Sequence, residues 1–111
     1  MNITDPQPRA DGHALHVSGR LDAQTAATFR STLQAHLAGH TGHLYLNLAD
    51  VSFMDSSALA GVVATLKALR ARGDELRLTG AGPAVRELLS LTLLDRVLPL
   101  REDLALSLIH I

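Results

Sequence analysis

Leu44, Leu46 and Leu48 alternate with Tyr45 and Asn47, the period-two pattern of a strand with one apolar face. Further on the period changes: Leu59, Val62, Val63, Leu66 and Leu69 recur at helical spacing, with Lys67, Arg70 and Arg72 toward the C-terminal end, where cations suit the helix dipole. Between the two, residues 49–55 read as a short loop, and Asp55-Ser56-Ser57 marks the first turn of the helix. Taken alone, Ser56 and Ser57 suit the helix cap. The unpaired N–H groups of such a turn are also a natural seat for an oxyanion or phosphate.

The rest of the chain supports this unit. Met1 to Asp11, with Pro6 and Pro8, reads as a partly ordered N-terminal segment, followed by a turn at Asp11-Gly12 and a strand over 14–19. Ala26, Phe29, Leu33 and Leu37 mark one face of a helix that Gly39 or Gly42 ends, with Asp22 as its N-cap. Gly73-Asp74 is a turn, residues 75–79 alternate as a half-exposed strand, and Gly80 to Pro83 bend the chain into a helix whose buried face is Val85, Leu88 and Leu89. Residues 93–100 lead into a short edge strand, because Pro99 argues against a central one. Residues 103–111 read as a short terminal helix, although their leucines also alternate as in a strand. Strands separated by helices imply an α/β fold: a single domain over residues 1–111 with a mixed, mostly parallel sheet and an antiparallel pair near the N-terminus. The sheet should have about four to five strands, with about four helices. Binding loops gather at the carboxyl ends of such strands, where Ser56 falls.

Composition narrows the function. With 47% apolar and 19% charged residues the chain is globular, and a formal charge of −1 gives no electrostatic reason to expect nucleic acid or a membrane surface as partner. No cysteine is present, so thiolate metal sites and cysteine nucleophiles are excluded. No apolar run approaches the ~18 residues that suggest a membrane span, and the N-terminus lacks a secretory pattern, which points to the cytoplasm without membrane insertion. His36 and His40 have i, i+4 spacing and His43 follows, but no glutamate completes H-E-x-x-H. They read as solvated surface histidines, with no metal expected. Gly80 and Gly82 lack the rest of a nucleotide loop, and no G-x-S-x-G elbow surrounds Ser56, so neither a cofactor nor enzymatic activity is expected.

Asp50-Val51-Ser52-Phe53-Met54-Asp55-Ser56-Ser57-Ala58-Leu59-Ala60 resembles the signature loop of STAS domains, and of bacterial anti-sigma factor antagonists in particular, whose common form is D-x-S-F-M-D-S-S-G-L-G. Gly19-Arg20-Leu21-Asp22 is similar to that family's G-x-L-D. Residues 76–80 resemble the strand after the signature helix, and residues 82–89 the next helix. The resemblance implies a STAS-like domain in which Ser56 is phosphorylated by a partner that is both anti-sigma factor and serine kinase. It implies a partner face of Arg20, Asp22, Met54, Asp55, Ser56, Ser57 and Ala58. An opposing serine phosphatase and a weak homodimer are also compatible with it. Ala58 and Ala60 stand where glycines are usual, which stiffens the turn after Ser56. Arg20 stands where many relatives have an acidic residue and reverses the local charge. Phe53 is expected to pack beneath the site, while Met54 is either packing or contact.

Three functions follow. The first is an anti-sigma factor antagonist that binds its partner when dephosphorylated, releases a sigma factor, and is switched off by phosphorylation. The second is a structural STAS subunit of a lipid-transport ABC complex or signalling scaffold, with no phosphorylation switch. The third, a nucleotide-binding or hydrolysing protein, lacks catalytic apparatus in the sequence.

Overall fold

The computed structural model describes residues 1–91 together with 100 and 101. In chain order the elements are β1 (Asn2–Ile3), β2 (Gln7–Arg9), β3 (Gly12–Leu21), α1 (Ala26–Gly39), β4 (His43–Met54), α2 (Ser56–Ala71), β5 (Leu76–Thr79), α3 (Pro83–Leu91) and β6 (Leu100–Arg101). The sheet runs β1-β3-β4-β5-β6, with β2 also paired to β3. β1 and β2 lie antiparallel to β3, whereas β3/β4, β4/β5 and β5/β6 are parallel. The mixed, mostly parallel α/β architecture is therefore the one the periodicity implies, and β6 is its short edge strand. The terminal helix expected at 103–111 lies outside the described residues.

Two boundaries differ from expectation. The N-terminal residues supply two short strands on β3, and Pro8 is tolerated there because β2 has no further neighbour that needs its missing N–H. β4 does not stop at Leu48 but continues to Met54. Its last part pairs with β3 alone, because β5 leaves it after Asn47. Two register shifts in that pairing, between His16 and Ser18 and between Gly19 and Arg20, show where the extension bends.

The core lies between the sheet and its helices. Leu15, Val17, Leu44, Leu46, Leu48, Leu76 and Leu78 from the strands join Phe29 and Leu33 of α1, Leu59, Val62, Leu66 and Leu69 of α2, and Val85 and Leu89 of α3. The helices α1 and α2 approach closely where a Cβ on Gly61 would lie 3.3 Å from Phe29 Cδ2. Alternate strand positions carry polar side chains instead. Tyr45 Oη donates to Asp11 at 3.0 Å, while Arg77 donates to Asp11 at 3.0 Å and to Glu75 at 3.0 Å. Desolvation opposes ionisation of Asp11, but the bonds from Tyr45 and Arg77 outweigh it and hold the carboxyl below its ordinary pKa.

Gly12 and Gly39 make a contrasting pair. A Cβ on Gly12 would collide with the backbone carbonyl of His43, whereas one on Gly39 meets nothing within 4 Å. Gly12→Ala should cost roughly 3 kcal/mol of stability through forced backbone movement. Gly39→Ala should leave stability unchanged or raise it by up to about 1 kcal/mol. Urea unfolding of the two variants checks both.

Candidate functional site

Asp55 alone separates β4 from α2. Its backbone is extended, at φ −118° and ψ −177°, which turns the carboxylate back over the helix start to accept from Ser57 N at 2.9 Å and Ala58 N at 3.3 Å. Asp55 N donates to Leu21 O at 3.1 Å and Leu59 N donates to Asp55 O at 3.0 Å, so the residue is fixed from both sides. The N-cap is thus Asp55, and Ser56 and Ser57 are the first helical residues, not caps. Both serines are exposed. The Ser56 hydroxyl has no hydrogen-bond partner among the described residues. Two of the amides expected to seat a phosphate are already occupied by the Asp55 carboxylate.

The neighbouring strand delivers the second half of the site. Asp22 follows Leu21, whose carbonyl receives the Asp55 amide. The Asp22 carboxylate accepts from Gln24 N at 3.0 Å, Thr25 N at 3.3 Å and Arg20 Nε at 3.4 Å. Thr25 Oγ1 accepts from Asp22 N at 3.0 Å and donates to Arg20 O at 2.9 Å. Asp22 therefore fastens the turn before α1, and Thr25, whose hydroxyl bonds back to that turn and caps no amide of the helix, occupies the N-cap position assigned to Asp22 from sequence. Desolvation opposes its ionisation, but the amides of Gln24 and Thr25 and the Arg20 guanidinium outweigh it, so its pKa is lowered and it is charged at neutral pH.

Arg20 Cζ lies 4.4 Å from the centroid of the Phe53 ring, a cation–π arrangement across paired positions of β3 and β4. Phe53 is 37% exposed rather than packed underneath, and Met54 is 8% exposed. Strand alternation accounts for both: the even-numbered inward phase of Leu44, Leu46 and Leu48 returns at Met54, leaving Phe53 outside. Ala58 is fully buried, on the face of α2 that packs into the core. Met54 and Ala58, expected on the partner face, are core residues in the structure. The structure gathers Arg20, Asp22, Asp55, Ser56 and Ser57 at the carboxyl ends of β3 and β4 and adds Phe53, whose signal in the sequence is that parity.

The histidines also depart from expectation. His36 is 8% exposed and packs with His13 and His40, far from the Ser56 end of the strands, so it is not a solvated surface residue. Among the described residues no three side chains are arranged to hold a metal ion, and no helix is long and apolar enough to cross a membrane.

One protein-family model, that of the STAS domain, matches residues 6–106. The chain belongs to the STAS domain family. It is 32% identical over 90 residues to the anti-sigma-B factor antagonist of Staphylococcus aureus (strain NCTC 8325 / PS 47), covering 81% of this chain and 83% of that one. A solved anti-sigma factor antagonist from Mycobacterium paratuberculosis superposes with a TM-score of 0.83 at 28% identity, covering 96% of this chain and 92% of the other. The fold is shared with SpoIIAA, solved unphosphorylated with a TM-score of 0.74 and, from Bacillus, phosphorylated with 0.68. Both are 19% identical to this chain and cover 89% of it, and the chain covers 88% and 91% of theirs.

Asp55→Ala should cost about 1 kcal/mol by exposing the first amides of α2, whereas Asp55→Asn, which keeps an acceptor oxygen, should lose only a few tenths. Chemical denaturation checks the order.

Proposed function

We propose that the chain is an anti-sigma factor antagonist acting in the cytoplasm. With Ser56 unmodified it binds an anti-sigma factor that is also a serine kinase, and a sigma factor is released. Phosphorylation of Ser56 ends the binding, and an opposing serine phosphatase restores it. The chain acts by binding, not by catalysis.

The observation that carries this reading is the setting of Ser56: exposed, with a hydroxyl unpartnered among the described residues, on a helix start whose Ser57 and Ala58 amides are engaged by Asp55. A phosphate there adds about −1.5 to −2 charges. With Ser57 N and Ala58 N already engaged, it would project its charge from the surface beside Asp55 instead of being drawn into the domain. A partner fitted to a neutral hydroxyl would have to bury that charge unpaired, at a cost of about 3–5 kcal/mol. That corresponds to roughly a hundred- to several-thousandfold in affinity. Arg20, Asp22, Phe53, Asp55 and Ser57 would form the rest of the contact face. The names of the relatives support this reading over a structural transporter or scaffold subunit.

The test is affinity capture from native-host lysate on wild type, Ser56→Ala and Ser56→Asp, with mass spectrometry of the bound proteins. Wild type and Ser56→Ala should retain an anti-sigma factor with a kinase domain that Ser56→Asp loses. Equal capture of transporter or scaffold subunits by all three would contradict the reading.

A further inference from the structure

Three imidazoles meet at the end of the sheet away from Ser56. His13, near the start of β3, lies 5.7 Å between ring centroids from His36 of α1 and 4.6 Å from His40 just past that helix. His36 and His40 stack at 4.2 Å with 12° between their planes. Nδ1 of His13 and Nδ1 of His36 are buried without hydrogen-bond partners among the described residues. His40 Nδ1 lies 3.0 Å from the His36 carbonyl oxygen, so that nitrogen carries a proton and donates it.

Among the described residues, the charges that act on His36 disfavour a proton there. From the end of α2, Arg72 donates to Leu37 O at 2.8 Å and Gly42 O at 3.1 Å, setting a fixed positive charge beside the last turn of α1. The nearby carboxylate, Asp74, is engaged by Arg72 Nε at 2.8 Å. His43 stands apart, its Nδ1 accepting from Glu75 N at 3.0 Å and lying 3.9 Å from Asp74. The groups acting on His36 from β3, the end of α1 and the end of α2 are therefore His13, His40 and Arg72, all cationic or able to become so.

We propose that His13, His36 and His40 form a proton-operated latch, in which the neutral His36 ring, packed against the other two, holds the last turn of α1 against the start of β3 and protonation of His36 releases it. Burial first, then the charges of His40, His13 and Arg72, push the His36 pKa down to about 4. The open chain, with an ordinary imidazole near 6.5, takes up the proton first. The latch therefore contributes fully above about pH 6.5 and is lost as pH falls from there toward about 4. Since α1 packs along α2 with Phe29 against Gly61, release would loosen support for the helix that presents Ser56. The device is independent of whether Ser56 is phosphorylated.

The test is urea unfolding of the full chain and of His36→Leu at pH 7.5 and 5.0, with the His36 ring titration followed by NMR in the wild type. Between those pH values the wild-type unfolding equilibrium constant should rise roughly twenty- to thirtyfold more than that of the leucine variant. His36 should remain neutral in the folded chain at pH 5.0. Identical pH dependence of the two proteins, or a folded His36 titrating near 6.5, would overturn the latch. If His36→Leu does not fold, the wild-type NMR titration decides by the same criterion.

Discussion

The hydrogen bond from Asp55 N to Leu21 O is the point on which the site depends. It closes the parallel pairing of β3 and β4 at its carboxyl end, one residue beyond the Leu21 and Met54 register pair. Without it, the Asp22 turn and the start of α2 would be two independent strand exits. With it, Asp55 can cap α2 only in a position beside Asp22. The buried Leu21 and Met54 anchor the junction, both facing the core.

Asp22 and Asp55 are both negative and both bound by local backbone amides, yet they do different work. Asp22 shapes the turn that leads into α1 and holds Arg20, which lies over Phe53. Asp55 starts α2 and occupies amides that would otherwise receive an anion at Ser56. Saturation of those amides separates a phosphate's effect on the domain, which should be small, from its effect on a bound partner. The surface is mixed in sign: Arg20 brings a cation over an exposed aromatic ring to one side of a pair of carboxylates.

The sequence showed most clearly the elements whose burial follows local periodicity. Leu44 to Leu48 are covered on one face along their length, and the inward residues of α2 recur at helical spacing, so both were legible. β4 beyond Leu48 was not, because there it lacks β5 as a neighbour and residues 49–53 are largely exposed, leaving little alternation of polarity to read. Asp22 has the chemistry of a cap, but residues 22–25 close a turn first, a choice set by Thr25 bonding back to Arg20 and Asp22. His36 looked like a surface position because its polarity is local, while its burial depends on His13, which is distant in sequence. The signature around Ser56 was legible as a motif. Which of its residues face outward was decided by strand parity and by the core side of α2.

The most direct measurement is phosphosite mapping by mass spectrometry on the protein isolated from its native host across growth and stress conditions, with a Ser56→Ala strain alongside. A single phosphate on Ser56 whose occupancy changes with condition, and which is absent from the Ser56→Ala strain, is the expected result. A phosphate confined to Ser57, or no phosphate under any condition, would contradict the switch.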